Sequence, residues 1–148
     1  VTVVDAPAKL VLSAGVDNDA VVWQVLRDGY GDRSPTLRQT RKLLWTGGVL
    51  LAGAETAAGL DTAAVAVVQR SGDCLEVLRL SVRPELQRRG WGRLLVGRLA
   101  KGPLPLLTYI RETNTVGLQF ARAMGFAAVG VERGQFGEAD GIRLERRP

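Results

Sequence analysis

The stretch from Cys74 to Lys101 constrains this chain more than any other part of it. Cys74 to Val82 reads as a strand, carried by Leu75, Val77, Leu78, Leu80 and Val82. Pro84 ends it, because proline has no amide hydrogen to give a ladder. Gln87-Arg88-Arg89-Gly90-Trp91-Gly92 follows, and Arg93 to Lys101 then has helical spacing. Trp91, Leu94, Leu95 and Leu99 mark an inner side, while Arg93, Arg98 and Lys101 face water. A helix start carries unpaired N–H groups and partial positive charge. Two glycines let an anion approach that backbone closely, and Arg88, Arg89 and Arg93 add charge. Such a loop suits a pyrophosphate. It is not a Walker loop, since no Gly-Lys-Ser/Thr follows, nor the Gly-x-Gly-x-x-Gly of dinucleotide sites. The same residues also fit a plain strand-to-helix turn with solvated arginines, and the loop alone leaves both readings open.

The rest of the chain alternates helices and strands. Lys9 to Ala14 reads as a first strand, and Asp17-Asn18-Asp19 offers caps for a helix carrying Val22, Val25 and Leu26 and ending near Gly29. Ser34-Pro35 opens a second helix with Leu37, Thr40 and Leu44 on one face, and Gly47-Gly48 stops it. Val49 to Ala54, Ala63 to Gln69 and Cys74 to Val82 form an antiparallel meander, because their connections are too short for crossover helices. Leu104 to Ile110 is a strand. Thr115 to Met124 is a helix with Val116, Phe120 and Ala123 inward, closed by Gly125-Phe126 as a glycine C-cap. Ala127 to Arg133 and Ile142 to Glu145 close the chain as a strand pair around a loop from Gly134 to Gly141. The order β-α-α-β-β-β-α-β-α-β-β predicts an α/β (α+β) fold: a mixed, mostly antiparallel sheet with helices on both faces, as a single domain over residues 1–148.

Composition narrows the chemistry. The chain has no histidine and one cysteine, Cys74, which excludes a Ser-His-Asp triad, a Cys-His pair and every His-ligated or Cys-rich metal site. No metal is expected. Cys74 itself reads as a buried small residue, away from the loop, where a nucleophilic role would need an activating neighbour. A lone cysteine and the lack of a signal-like start at Val1 to Ala8 predict a reducing, cytoplasmic setting. No apolar run approaches the roughly 20 residues of a membrane-spanning helix, so no membrane partner is expected. A net charge of +5 suits an anionic partner or plain solubility. Aromatic content of 5% and scattered basic residues give no base-stacking surface, so nucleic acid is not the expected partner.

Two stretches in order resemble one family. Leu78 to Gly92 resembles the acyl-CoA-binding motif of the GNAT acyltransferases: an apolar strand, a proline, Gln/Arg-x-x-Gly-x-Gly/Ala, then an amphipathic helix. Asn114 to Phe126 resembles the second motif of that family, with Asn114, Gly117, Phe120, Gly125 and Phe126 in register. The order of elements is similar across nearly the whole chain.

The resemblance implies an acetyl-CoA-dependent N-acetyltransferase acting on a primary amine, of a small molecule or a protein, by direct attack in a ternary complex, as monomer or homodimer. It implies that the strand around Leu80, Ser81 and Val82 parts from Leu106 to Ile110 and offers backbone groups to the pantetheine arm. Gln87, Arg88, Arg89, Gly90, Trp91, Gly92 and Arg93 would hold the pyrophosphate, and Asn114 and Phe120 the arm or adenine end. Glu76 lies eleven residues before Gln87, as the catalytic glutamate does in the histone acetyltransferase branch, and is the expected base. As a bare residue it equally fits a solvated strand carboxylate. The acceptor pocket would be shaped by Asp28 to Arg33 and Arg133 to Gly137, with Tyr30, Asp32 and Phe136 as candidates. Two residues depart from the pattern. The usual acid, a tyrosine, falls at Ala121, and the glutamate that the ribosomal-protein acetyltransferase branch carries five residues before the asparagine is Tyr109. Tyr109 is therefore the candidate acid, with Tyr30 or solvent as substitutes, although a strand aromatic also serves as packing. These departures keep a second reading open, a non-catalytic acyl-CoA binder of the same fold.

Overall fold

A computed structural model describes residues 8–14, 19–30, 36–46 and 48–148. Its elements run β1 (Ala8–Ala14), α1 (Asp19–Tyr30), α2 (Leu37–Thr46), β2 (Gly48–Thr56), β3 (Gly59–Ser71), β4 (Cys74–Val82), a 3₁₀ turn (Pro84–Leu86), α3 (Trp91–Leu99), β5 (Leu106–Arg111), α4 (Thr115–Ala123), β6 (Ala127–Phe136) and β7 (Ala139–Arg146). The order is the one the sequence predicts. Asp17, Asn18, Ser34, Pro35 and Gly47, read as caps and stops, lie outside the described residues. Two compact units divide the chain: Val1–Gln69 with Arg79–Leu95, and Arg70–Leu78 with Val96–Pro148.

In the first unit the strands are ordered β1-β2-β3-β4. β1 and β2 are antiparallel from Ala8↔Ala54 to Ala14↔Gly48, and β2 and β3 are antiparallel from Gly48↔Val68 to Thr56↔Gly59. Along β3 every residue from Thr62 to Val68 is buried, without the alternation of a strand that has one wet face. A continuous Ala/Val run does this because both of its faces are covered. On α1, Val22, Val25 and Leu26 recur at helical spacing, and all three are fully buried. Burying each contributes about 1.5–3 kcal/mol. Thr40 on α2 is buried too, and its hydroxyl donates to the Thr36 carbonyl at 2.9 Å, which satisfies it.

In the second unit the order is β4-β5-β7-β6. β4 and β5 are parallel, pairing Leu75↔Leu106 and Glu76↔Leu107. β5 and β7 are antiparallel from Leu106↔Arg146 to Arg111↔Gly141, and β6 and β7 are antiparallel with two register shifts. The mixed sheet expected from the element order is therefore present.

Three expectations change. The loop expected from Gly134 to Gly141 is mostly strand: pairing continues to Phe136↔Ala139, with an irregularity between Glu132 and Phe136 that absorbs the extra residues. The face assigned to α4 is the outer one. Val116 is 70% exposed, Phe120 37%, and Ala123 is exposed, while Ala121 is buried. The reversal at Gly125 turns Phe126 inward and bonds its N–H to the Ala121 carbonyl at 3.0 Å, which fixes the rotation of the helix. Cys74 is half-buried, because it opens β4 next to the turn at Gly72 and Asp73.

Candidate functional site

The loop between β4 and α3 is built from backbone outward. Arg83 anchors its start: its N–H donates to the Ala63 carbonyl at 2.8 Å, and Nη1 lies 3.7 Å from Asp61 Oδ1. Pro84 opens the 3₁₀ turn, and Gln87 Nε2 reaches back to the Val82 carbonyl at 3.3 Å. Arg88 then takes a left-handed φ of 62° and Gly90 a φ of 92°. An arginine there is strained by roughly 1–3 kcal/mol, a conformation that persists where surrounding contacts over-determine it. Trp91 and Gly92 are buried and fix the start of α3, whereas Arg88, Arg89 and Arg93 are exposed.

The first helix-type bond of α3 runs from Leu94 N–H to the Gly90 carbonyl at 2.9 Å. The amides of Trp91, Gly92 and Arg93 thus belong to the first turn, which a helix leaves without internal acceptors. Arg83 pairs with Asp61 and Arg143 with Glu145, whereas among the described residues no carboxylate lies within ion-pair reach of Arg88, Arg89 or Arg93. Open amides, a glycine at the mouth and three unmatched guanidinium groups fit a diphosphate. Upstream, Ser81 is buried and its hydroxyl donates to the Val25 carbonyl at 3.0 Å. The side chain of Ser81 is thereby committed to the α1 backbone, as that of Gln87 is to Val82.

In the second unit, direct pairing and strand alternation put Glu76, Leu107 and Glu145 on one rung, and Tyr109 and Arg143 on a neighbouring rung of the same face. Arg143 Nη1 donates to Tyr109 Oη at 3.1 Å, and Nη2 donates to Glu145 Oε1 at 3.1 Å. The guanidinium sits 5.8 Å from the Tyr109 ring centre. Its pKa is raised, chiefly by the hydrogen bond to Glu145 and then by the charges of Tyr109, Glu145 and Cys74, against the pull of burial. Glu76 is half-buried on β4. On the backbone side, Thr108 Oγ1 donates to the Val77 carbonyl at 3.0 Å and Leu75 N–H to the Pro105 carbonyl at 2.9 Å, holding β4 against β5.

Asn114 is the N-cap of α4, its Oδ1 accepting from Gly117 N–H at 2.9 Å. A Cβ at Gly117 would lie 2.7 Å from Asn114 Nδ2, so the small residue three after the asparagine leaves room for the folded-back cap. Phe120 lies on the outer side of the helix. Phe136 is half-buried, with the Arg111 guanidinium 5.0 Å from its ring centre. Tyr30 is the last residue of α1, and Asp32 lies outside the described residues. The second unit thus brings Glu76 and Tyr109 onto one face, together with Arg143 and Glu145, which sequence reading missed. Their opposite charges two residues apart on a strand were visible, but the tyrosine they hold sits 34 residues away.

Among the described residues no group of three or more His, Cys, Asp or Glu stands ready for a metal, and no helix is long and apolar enough to cross a membrane. No family model and no curated protein matches the sequence. Solved structures do match. The ribosomal-protein-S18-alanine N-acetyltransferase of Escherichia coli aligns at TM-score 0.75 and 18% identity, over 94% of this chain and 92% of its own. A GNAT family acetyltransferase from Elizabethkingia anophelis, with acetyl-CoA bound, aligns at 0.77 and 14% identity, over 97% and 100%. The PaiA N-acetyltransferase of Thermoplasma acidophilum, in complex with coenzyme A, aligns at 0.71 and 15% identity, over 95% and 99%. The backbone agreement extends over nearly the whole of each chain, and on it this protein has the fold of the GNAT N-acetyltransferases.

Proposed function

We propose that residues 1–148 form one acetyltransferase domain that moves an acetyl group from acetyl-CoA to a primary amine by direct attack in a ternary complex. The observation that carries the reading is the opening of α3: strained Arg88, left-handed Gly90 and first-turn amides without acceptors inside the helix. Solved proteins of this fold hold CoA or acetyl-CoA, which supports a nucleotide thioester as the ligand. Acetyl-CoA would supply the activated acyl thioester. The amides from Arg88 to Arg93 hold its pyrophosphate, and the backbone of Leu80, Ser81 and Val82 lies along its pantetheine arm. Asn114 and Phe120 contact the arm or the adenine end. Tyr30, Asp32 and Phe136 shape the acceptor side.

Acyl transfer needs a neutral amine and a proton for the departing thiolate. Glu76 takes the amine proton, directly or through water, and Tyr109 gives the thiolate its proton. Mass-spectrometric search for acetylated products, after incubation with acetyl-CoA and a library of small and peptide amines, tests the reading. CoA binding with no acetylated product from any amine would overturn it in favour of a non-catalytic acyl-CoA binder. One observation favours that second reading: the position where the family carries its tyrosine is Ala121, buried on α4. The base is tested separately. Glu76→Gln should lower the rate on the order of a hundredfold near neutral pH and less at high pH, where more amine is already neutral. A variant with the wild-type pH–rate profile would make Glu76 structural.

A further inference from the structure

We infer that Arg143 is a positioning residue for the proton transfer, holding the Tyr109 hydroxyl so that its single proton points away from the guanidinium and toward the leaving sulfur, with Glu145 fixing the guanidinium in turn. The inference rests on Tyr109 being the acid. Arginine has donors and no acceptor, so in the 3.1 Å contact Tyr109 Oη accepts and its own hydrogen must lie in another direction. A phenol held in this way keeps its single hydrogen free to be donated to a third group. The hold is built on rigid elements. Arg143 and Tyr109 are direct cross-strand partners on β7 and β5, and Glu145 is the next residue on the same face of β7.

Two donor nitrogens of one planar guanidinium are committed, Nη1 to Tyr109 and Nη2 to Glu145. A planar fork tied at two points has little rotational freedom left. In the step itself, the amine nitrogen forms a bond to the acyl carbon and the C–S bond breaks. The Tyr109 proton goes to sulfur, and the phenolate left behind faces the Arg143 cation until water reprotonates it. The amine proton leaves to Glu76. The charge of Arg143 therefore offsets the charge that Tyr109 gains.

Four proteins decide the matter: wild type, Arg143→Gln, Tyr109→Phe and the double variant. Release of free CoA from acetyl-CoA is measured with the fastest acceptor of an amine panel in which water alone is one member. Tyr109→Phe should slow turnover on the order of tenfold to a hundredfold. Arg143→Gln should lower kcat by about tenfold with the KM for acetyl-CoA within about twofold, because only the transition-state contact is lost. The double variant should be no slower than Tyr109→Phe, and Arg143→Lys, which keeps the positive charge together with a donor, should recover part of the loss. If Arg143→Gln slows the Tyr109→Phe protein by the same factor as the wild type, or leaves the wild-type rate unchanged, the inference is overturned. If Tyr109→Phe itself runs at the wild-type rate, the acid assignment fails first. A readout without turnover completes the test. In a Tyr30→Phe background Tyr109 is the sole tyrosine, and its ¹³Cζ resonance should move on Arg143→Gln. An unmoved resonance overturns the hydrogen bond.

Discussion

The loop before α3 and the helix α4 carry the two motifs in this sequence, and they treat their polar backbone in opposite ways. At Arg88 to Gly92 the chain adopts left-handed backbone twice, and the amides of the first turn of α3 have no acceptor inside the helix. At α4 both ends are closed by the chain itself. Asn114 caps the start. At the finish, Phe126 N–H bonds the Ala121 carbonyl and Gly125 N–H the Arg122 carbonyl, both at 3.0 Å, which is the double bond of a Schellman cap. One motif leaves its first-turn donors without partners among the described residues, and the other uses them up, as a stable helix does. The resemblance alone gave Asn114 and Phe120 a ligand role, and in the structure Asn114 already has a folding role.

The difference can be broken by substitution. The largest effect is expected at Gly90→Glu. It sets a carboxylate beside the proposed anion site and a side chain at a φ of 92°, so CoA affinity should fall more than about a hundredfold. Calorimetric titration with CoA, on protein shown folded by circular dichroism, checks it, and unchanged affinity would remove the loop from the site. Next is Ala121→Tyr, which would restore the residue usual at this place in the family. Ala121 is 3% exposed, so the larger ring should overpack the core and lower stability by about 1–3 kcal/mol in urea unfolding. A variant as stable as wild type would mean that space exists beside α4.

Asn114→Ala should remove the cap and lower stability by about 1 kcal/mol. CoA titration of the same variant sharpens the comparison. A large loss of affinity at unchanged stability would make α4 a ligand element like the loop. Gln87→Ala should have the smallest effect on folding, about 0.5–1 kcal/mol, since it removes one exposed bond to the Val82 carbonyl. If Gln87 also orders the loop, its CoA affinity falls by more than its stability does.

The sequence by itself determined the order of strands and helices, because hydrophobic spacing, proline and glycine act locally. Val22, Val25 and Leu26 announce a helix face wherever that helix packs, and Pro84, Gly90 and Gly125 mark their turns by backbone sterics alone. The turn into α3, on which the proposed anion site rests, was legible for the same reason, being made of consecutive main-chain groups. Tertiary structure decided what depends on register and rotation. Helical spacing names Val116, Phe120 and Ala123 as one stripe, but only the inward turn of Phe126 settles that the stripe faces water. In the same way, only the pairing of β5 with β7 sets Arg143 against Tyr109, since a slip of one residue would send the guanidinium to the other face of the sheet.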